Sequence, residues 1–342
     1  MKDSGNHAYA PGRLPAAFPE LLVKAGETIG VDLGGTKMLI GVLDADSEVL
    51  WESREASTGQ SEEELLELLV REVKAARQAR PEVGAVGLGI PATIDRSRGV
   101  AISAVNLPMR EMPIRDLVCE RAGLPVFVDN DANVAALAEH LNGAARGMRN
   151  VVMITVGTGI GGGLILNGEL YRGSTGAAAE LGHMVIQIDG PHCQGNCPGN
   201  GCVETLASGS ALGREAHAAA ISRPDSTLGR VLADGRPLDG KAVTELALAG
   251  EKDAIAVFEV IGRRLGVALA SLANIFDPDA IVVGGGVIAA GELLLEPARR
   301  ELRARALAPM NRVPVIEAQL GPDAGMVGAA AMARLELEGE GG

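Results

Sequence analysis

Aromatic side chains are scarce: only 2% of the 342 residues are Phe, Trp or Tyr. A core made without them must be assembled from Ala, Val, Leu and Ile. A platform that binds nucleic acid by stacking bases on aromatic faces has almost no material here. Grouped positive charge is missing too. The formal net charge is −13, whereas a protein that neutralises a phosphate backbone needs clustered Lys and Arg to release counterions. The most basic stretch, RRELRAR from Arg299 to Arg305, is interleaved with Glu301 and apolar residues, the pattern of a solvated helix face. Nucleic acid is therefore not an expected partner.

Long apolar runs are also lacking. None approaches the roughly 18 residues of a membrane span, so no membrane partner is expected. The N-terminal MKDSGNHAYAPGRLPAAFPE has no continuous apolar segment of signal-peptide type. Its prolines and glycines read as a mobile extension, and residues 1–26 are set apart on that ground. The expected compartment is the cytoplasm, where thiols stay reduced. There are four cysteines in all, and Cys193, Cys197 and Cys202 fall within HCQGNCPGNGC. In a reducing compartment such a cluster more often binds metal than forms disulfides.

What is abundant is aliphatic residues and glycine: 47% hydrophobic residues and 46 glycines, in a chain long enough for two domains. ETIGVDL (Glu27–Leu33) reads as a buried strand, MLIGVLD (Met38–Asp44) as a second and EVLWES as a third. SEEELLELLVREVKAAR has Ser61 and Glu64 at capping-box spacing, with Leu65, Leu69, Val73 and Ala76 on one helical face. VGAVGLGI follows as a strand. The second half repeats the theme with NVVMITVG, GGGLILNG and ELYRG, then helical patterns from about Glu204. A long helix is expected from about Asp253 to Phe276, striped by Phe258, Ile261, Leu265, Leu269 and Leu272. AIVVGGGV is a strand running into a glycine turn, and GMVGAAAMARLELE is a helix that could cross back to the first half. Two halves that each open with three strands predict a duplicated α/β unit around a cleft. A single doubly wound sheet is the competing architecture.

Three glycine turns and one acidic stretch carry chemistry. DLGGTK lacks the GxxxxGK[ST] spacing of a phosphate loop and is followed by a strand. It reads as a hairpin with Asp32 at the strand end and Gly34, Gly35 and Thr36 at the tip, where backbone N–H groups can converge on an anion. TVGTGIGGG (Thr155–Gly163) is a second such hairpin, and VVGGGV (Val282–Val287) could back an adenine-ribose. Each alone is ordinary turn chemistry, since glycines commonly do no more than turn the chain; together they point to a nucleotide. In VFVDNDAN, Asp129 reads as a helix N-cap. Asn130 and Asp131 sit where a carboxylate can take a proton from a hydroxyl attacking a phosphoryl group.

DLGGTK, NLP (Asn106–Pro108), DNDAN, GTGIGGG, AELGH (Ala179–His183) and the cysteine cluster, in this order, resemble the ROK family of sugar kinases, and within it the zinc-containing glucokinases. The resemblance covers about residues 27–335. It implies an α/β, two-lobed actin-like ATPase (ribonuclease H-like) fold with duplicated βββαβα units around a central cleft. Residues 27–145 plus 325–342 would form the small lobe, and 146–324 the large lobe, with a zinc-binding segment at 183–202.

The resemblance further implies roles. Asp131 matches the general base acting on the 6-hydroxyl of a hexose; Asn106, Asn130, Glu180, His183 and Glu204 match sugar-holding residues. Asp32, Gly34, Gly35, Thr36, Lys37, Thr158, Gly159, Gly284, Gly285 and Gly286 match the nucleotide segments, with Asp32 orienting Mg²⁺ through water. His183, Cys193, Cys197 and Cys202 match the ligands of a structural Zn²⁺. The spacing departs from the commonest family form, CxCGxxGC: three residues separate Cys193 from Cys197, and Pro198 replaces a glycine. His192 is the rival ligand. Cys119 reads as a core residue, and His7, His140 and His217 as surface or helix-packing residues. The implied metal would organise the hexose pocket without touching the phosphate.

The implied activity is ATP-dependent phosphorylation of glucose, in a homodimer or homotetramer. Fructose, allose, N-acetylglucosamine or N-acetylmannosamine as acceptor, and polyphosphate as donor, remain open at this point. A sugar-responsive repressor of the same family would carry a helix-turn-helix before the first strand. Only about 26 residues precede Glu27, with Pro11, Pro15 and Pro19 among them.

Overall fold

The antiparallel hairpin of β1 (Glu27–Leu33) and β2 (Lys37–Leu43) turns at the glycines of DLGGTK, and β3 (Val49–Ala56) extends it outward. In this computed structural model residues 26–104, 106–195 and 197–340 are described. The extension expected over residues 1–26, with His7, lies outside the described residues except for Gly26. β3 is the sheet edge, where Glu52, Arg54 and Glu55 discourage pairing with another chain. Trp51, the only tryptophan of the chain, lies on β3 and packs on the core of this sheet.

α1 (Glu62–Ala79) begins at the expected capping box: the Glu64 N–H donates to Ser61 Oγ, and the Ser61 N–H donates to the Glu64 carboxylate at 2.8 Å. Leu65, Leu69, Val73 and Ala76 are all buried. β4 (Val83–Ile90) is buried at every position and runs parallel to β1, as a strand covered on both faces should. Next come three short strands that sequence reading did not find, β5 (Ala92–Asp95), β6 (Val100–Ala104) and β7 (Arg110–Met112), forming a small antiparallel sheet. α2 (Ile114–Ala122), β8 (Val126–Asn130) and α3 (Asp131–Asn142) follow. The main sheet has the order β3-β2-β1-β4-β8.

β9 (Val151–Val156) and β10 (Ile160–Leu166) repeat the glycine hairpin, with β11 (Glu169–Leu170) as its short outer strand. A helical stretch then intervenes: α4 (Val203–Ala207), α5 (Gly209–Ser222), α6 (Thr227–Ala233), α7 (Gly240–Leu248) and α8 (Lys252–Phe276). All five residues of the predicted α8 stripe are buried. β12 (Ala280–Gly284), α9 (Glu292–Arg305) and β13 (Val315–Glu317) complete the second sheet. Gly262 and Gly266 let the α9 backbone lie directly on α8. The sheet order, β11-β10-β9-β12-β13, matches the first strand for strand. The duplication is real, and a single doubly wound sheet is excluded.

α10 (Ala324–Glu340) returns to the first sheet, as expected. Thr28 Oγ1 donates to Ala330 O at 2.9 Å, and a Cβ at Gly87 would lie 1.8 Å from Ala329 O, so only glycine admits the helix there. The chain divides into two units: one contains the residues up to Ala135, Arg172–Ala178 and those from Gly325 on; the other contains Ala136–Tyr171 and Ala179–Ala324. The later division falls after residue 324. The earlier one falls before residue 145, inside α3, and Arg172–Ala178 goes with the first unit. Each unit has its own aliphatic core. Among the described residues, no helix is long and apolar enough to cross a membrane.

Candidate active site and metal centre

In the first unit, the DLGGTK turn closes through the Gly34 N–H bond to Lys37 O at 2.9 Å. Ser57 backs it, donating from Oγ to Gly34 O at 2.7 Å and from N–H to Thr36 O at 3.2 Å. A Cβ at Gly35 would meet Asn106 at 2.8 Å, so the turn lies directly against the NLP motif. Thr36 and Lys37 are exposed. Burial first, and the Asp131 charge second, push the Asp32 carboxyl up to about 6, with Lys37 partly offsetting them. Asp32 and Asp131 are thus electrostatic neighbours. Two carboxylates that raise each other's energy are a fitting donor set for a divalent cation.

The cap of α3 is Asn130, not Asp129 as the sequence suggested. β8 runs through Asn130, and Asn130 Oδ1 accepts the Ala132 N–H at 2.9 Å and the Asn133 N–H at 3.3 Å. Its Nδ2 donates to Ala92 O at 3.3 Å. Asp129 is fully buried instead, accepting from Arg172 Nε at 2.6 Å and Asn133 Nδ2 at 2.9 Å, with Arg96 Nε at 3.6 Å. Arg172 is therefore what draws its segment to the first unit. Asp131 opens α3 and is half-buried.

In the second unit, the Gly157 N–H donates to Gly159 O at 2.9 Å across the hairpin tip. Glu204 Oε2 accepts the Ile160 N–H at 2.8 Å, so Glu204 touches the hairpin as well as following the metal cluster. Gly285 has φ +86, and a Cβ there would lie 2.5 Å from Val156 O. Gly284 ends β12 in the buried sheet. Gly286 and Thr158 line a cavity of about 920 Å³, together with Gly157, Ser210, Arg214 and Lys241. That volume suits a nucleotide-sized ligand. His217, exposed as its surface reading expected, also lines it. Arg214 and His217 lie one turn apart on α5, a spacing the sequence shares with any solvated helix face.

The four expected metal ligands do come together. His183, at the end of a single 3-10 turn, and Cys193, Cys197 and Cys202 place their ligand atoms within 4.8 Å of one another. His183 Nδ1 is 3.6 Å from Cys193 Sγ, and the Cys197 and Cys202 sulfurs are 3.9 Å apart. A tetrahedron with Zn–S of about 2.3 Å requires ligand atoms roughly 3.7 Å apart, so the residues fit the ion. Burial, then the hydrogen bonds that the Cys193 thiol donates to the Cys202 and Cys197 sulfurs, push that thiol up to about 12. Such a cluster needs a cation to become thiolate. His192 is turned elsewhere: its Nδ1 meets Asn200 Oδ1 at 3.0 Å, and it stands outside the cluster. Cys119 is buried in α2, as expected.

The other ring nitrogen of His183, Nε2, lies 3.8 Å from Glu180 Oε2. Loss of water around Glu180 raises its pKa, opposed by His183 and assisted by Glu204. Glu180, His183 and Glu204 thus form a polar group beside the cluster.

The ROK family model matches residues 28–336. The glucokinase of Streptomyces coelicolor is 41% identical over 315 residues, covering 90% of this chain and 98% of that protein. The glucokinase of Halalkalibacterium halodurans is 36% identical over 307 residues, covering 88% and 92%. The crystal structure of a ROK family glucokinase from Streptomyces griseus in complex with glucose and AMPPNP has a TM-score of 0.81 and 40% identity, covering 91% of this chain and 100% of that one. Nearly the whole chain is matched, with both repeated sheets inside the match, and it belongs to the ROK family.

Proposed function

We propose that this chain is an ATP-dependent glucokinase that phosphorylates the 6-hydroxyl of glucose. The observation that carries the reading is its likeness, over nine-tenths of the chain, to a ROK glucokinase solved with glucose and an ATP analogue. Asp131 takes the proton of the 6-hydroxyl as that oxygen bonds to the γ-phosphorus. The bond from the γ-phosphorus to the β,γ-bridging oxygen breaks, and ADP leaves. Asn106, Asn130, Glu180, His183 and Glu204 hold the other hydroxyls. Gly34 closes the first turn through its N–H bond to Lys37 O, the backbone N–H groups of Gly35, Thr36, Thr158 and Gly159 face phosphate oxygens, and Lys37 adds positive charge. Gly284–Gly286 support the adenosine.

His183, Cys193, Cys197 and Cys202 would hold a structural Zn²⁺, which fixes the tautomer and orientation of the imidazole. Asp32 would orient Mg²⁺, which neutralises phosphate charge. A glycolytic role and a homodimeric or homotetrameric assembly follow from family likeness, and a cytoplasmic location also from the lack of a signal-peptide-type segment at the N-terminus. A coupled assay of ADP release across glucose, fructose, allose, N-acetylglucosamine and N-acetylmannosamine, with and without chelator, tests the reading. Glucose should give the highest kcat/KM. No ADP release with any hexose would overturn it.

A further inference from the structure

The residues that follow metal ligand Cys202 are bonded, one after another, to the tip of the second glycine hairpin. Cys202 stands at the N-cap of α4, and the Val203 N–H donates to Met184 O at 2.9 Å, next to His183. The start of α4 is therefore fixed by both sides of the cluster. Glu204 then accepts the Ile160 N–H at 2.8 Å. The Gly209 N–H donates to Gly157 O at 2.7 Å, and Ser210 Oγ donates to Thr158 O at 2.8 Å. A Cβ at Gly159 would sit 2.3 Å from Glu204 Oε2, so the carboxylate lies directly on the hairpin. A glycine-rich tip has little conformational preference of its own. Its shape must be imposed by such partners.

We propose that Glu204 is a positioning residue for the hairpin Gly157–Ile160, and that through it the metal centre sets nucleotide affinity as well as the sugar pocket. This rests on reading the hairpin as a phosphate turn and the His/Cys cluster as a zinc site. It departs from the expectation that the metal leaves the phosphate side untouched. Thr158 and Gly157 line the large cavity of this unit, so displacement of the tip reaches whatever binds there.

The test is calorimetry with AMPPNP on sugar-free protein, with zinc measured by elemental analysis and amide exchange followed at residues 157–160. Glu204→Ala leaves all four metal ligands in place. It should keep its zinc, exchange the Ile160 amide faster, and bind AMPPNP about tenfold more weakly, the scale of a lost charge-assisted hydrogen bond. Glu204→Gln, whose amide oxygen still accepts, should restore most of the affinity. Chelator-stripped protein that stays folded by circular dichroism should lose AMPPNP affinity in the same direction and regain it with Zn²⁺. If stripping unfolds the protein, the Glu204 variants decide. AMPPNP affinity within about twofold of native in Glu204→Ala, or in folded zinc-free protein, overturns the proposal. Failure of the underlying reading looks different: native protein without stoichiometric zinc, or AMPPNP affinity unchanged by Thr158→Pro, removes the site itself and the proposal with it.

Discussion

Arg172 Nε donates to Asp129 Oδ2 at 2.6 Å, and Asp129 has no exposed surface. The pair joins a segment that leaves β11 to the strand end that carries Asn130 and Asp131. Removing the guanidinium leaves a buried carboxylate with the Asn130 N–H, Asn133 and a more distant Arg96. Arg172→Ala should therefore destabilise the protein by about 3 kcal/mol, the lower end for a broken buried pair because Arg96 remains. Urea denaturation checks this. The double change with Asp129→Asn should recover part of the loss.

Asp131→Asn should lower kcat by about 10²-fold or more, as expected for loss of a general base. Glucose affinity, measured by calorimetry, should change little. Near-normal kcat would remove Asp131 from its role.

The Asp32 carboxyl, held up at about 6, makes stability depend on pH. Its folded pKa lies above the unfolded value, so the native state binds the proton more tightly. That stabilisation is complete below about pH 4 and is lost as pH rises through about 6, by at most about 3 kcal/mol. Asp32→Asn should flatten the fall in stability between these pH values and raise stability at pH 7. Denaturant midpoints measured across this range provide the check, and an unchanged profile would count against the burial of Asp32 as its cause.

Gly285→Ala puts a Cβ 2.5 Å from Val156 O at φ +86. A cost of at least about 1 kcal/mol is expected from the left-handed backbone alone, with more from the clash. Thermal unfolding measures it. A stability equal to native would show that β12 and β9 can shift to admit the methyl.

Elements with a local signature were legible in advance. α1 carries its own capping box and stripe, α8 its apolar face, and β1 a run bounded by turn residues. The cluster of His183, Cys193, Cys197 and Cys202 was legible because the types and order of its residues match a family pattern. What escaped depends on distant partners. β5, β6 and β7 are too short to show a period. Asp129 resembled a cap until Arg172, far along the chain, gave it a partner in the interior. The same dependence hid the contact of Glu204 with Ile160 and the place of Arg214, His217 and Lys241 in the cavity wall.

Trp51 gives the molecule an unequal optical signature. The only indole of the chain reports on the first sheet, while the far-ultraviolet signal sums the helices α4–α9 of the other unit with α1, α2 and α10 of the first. Emission followed through a melt therefore observes one body, and ellipticity observes both. Coincident curves mean that the two halves come apart together, and separated curves give the stability of each without cutting the chain.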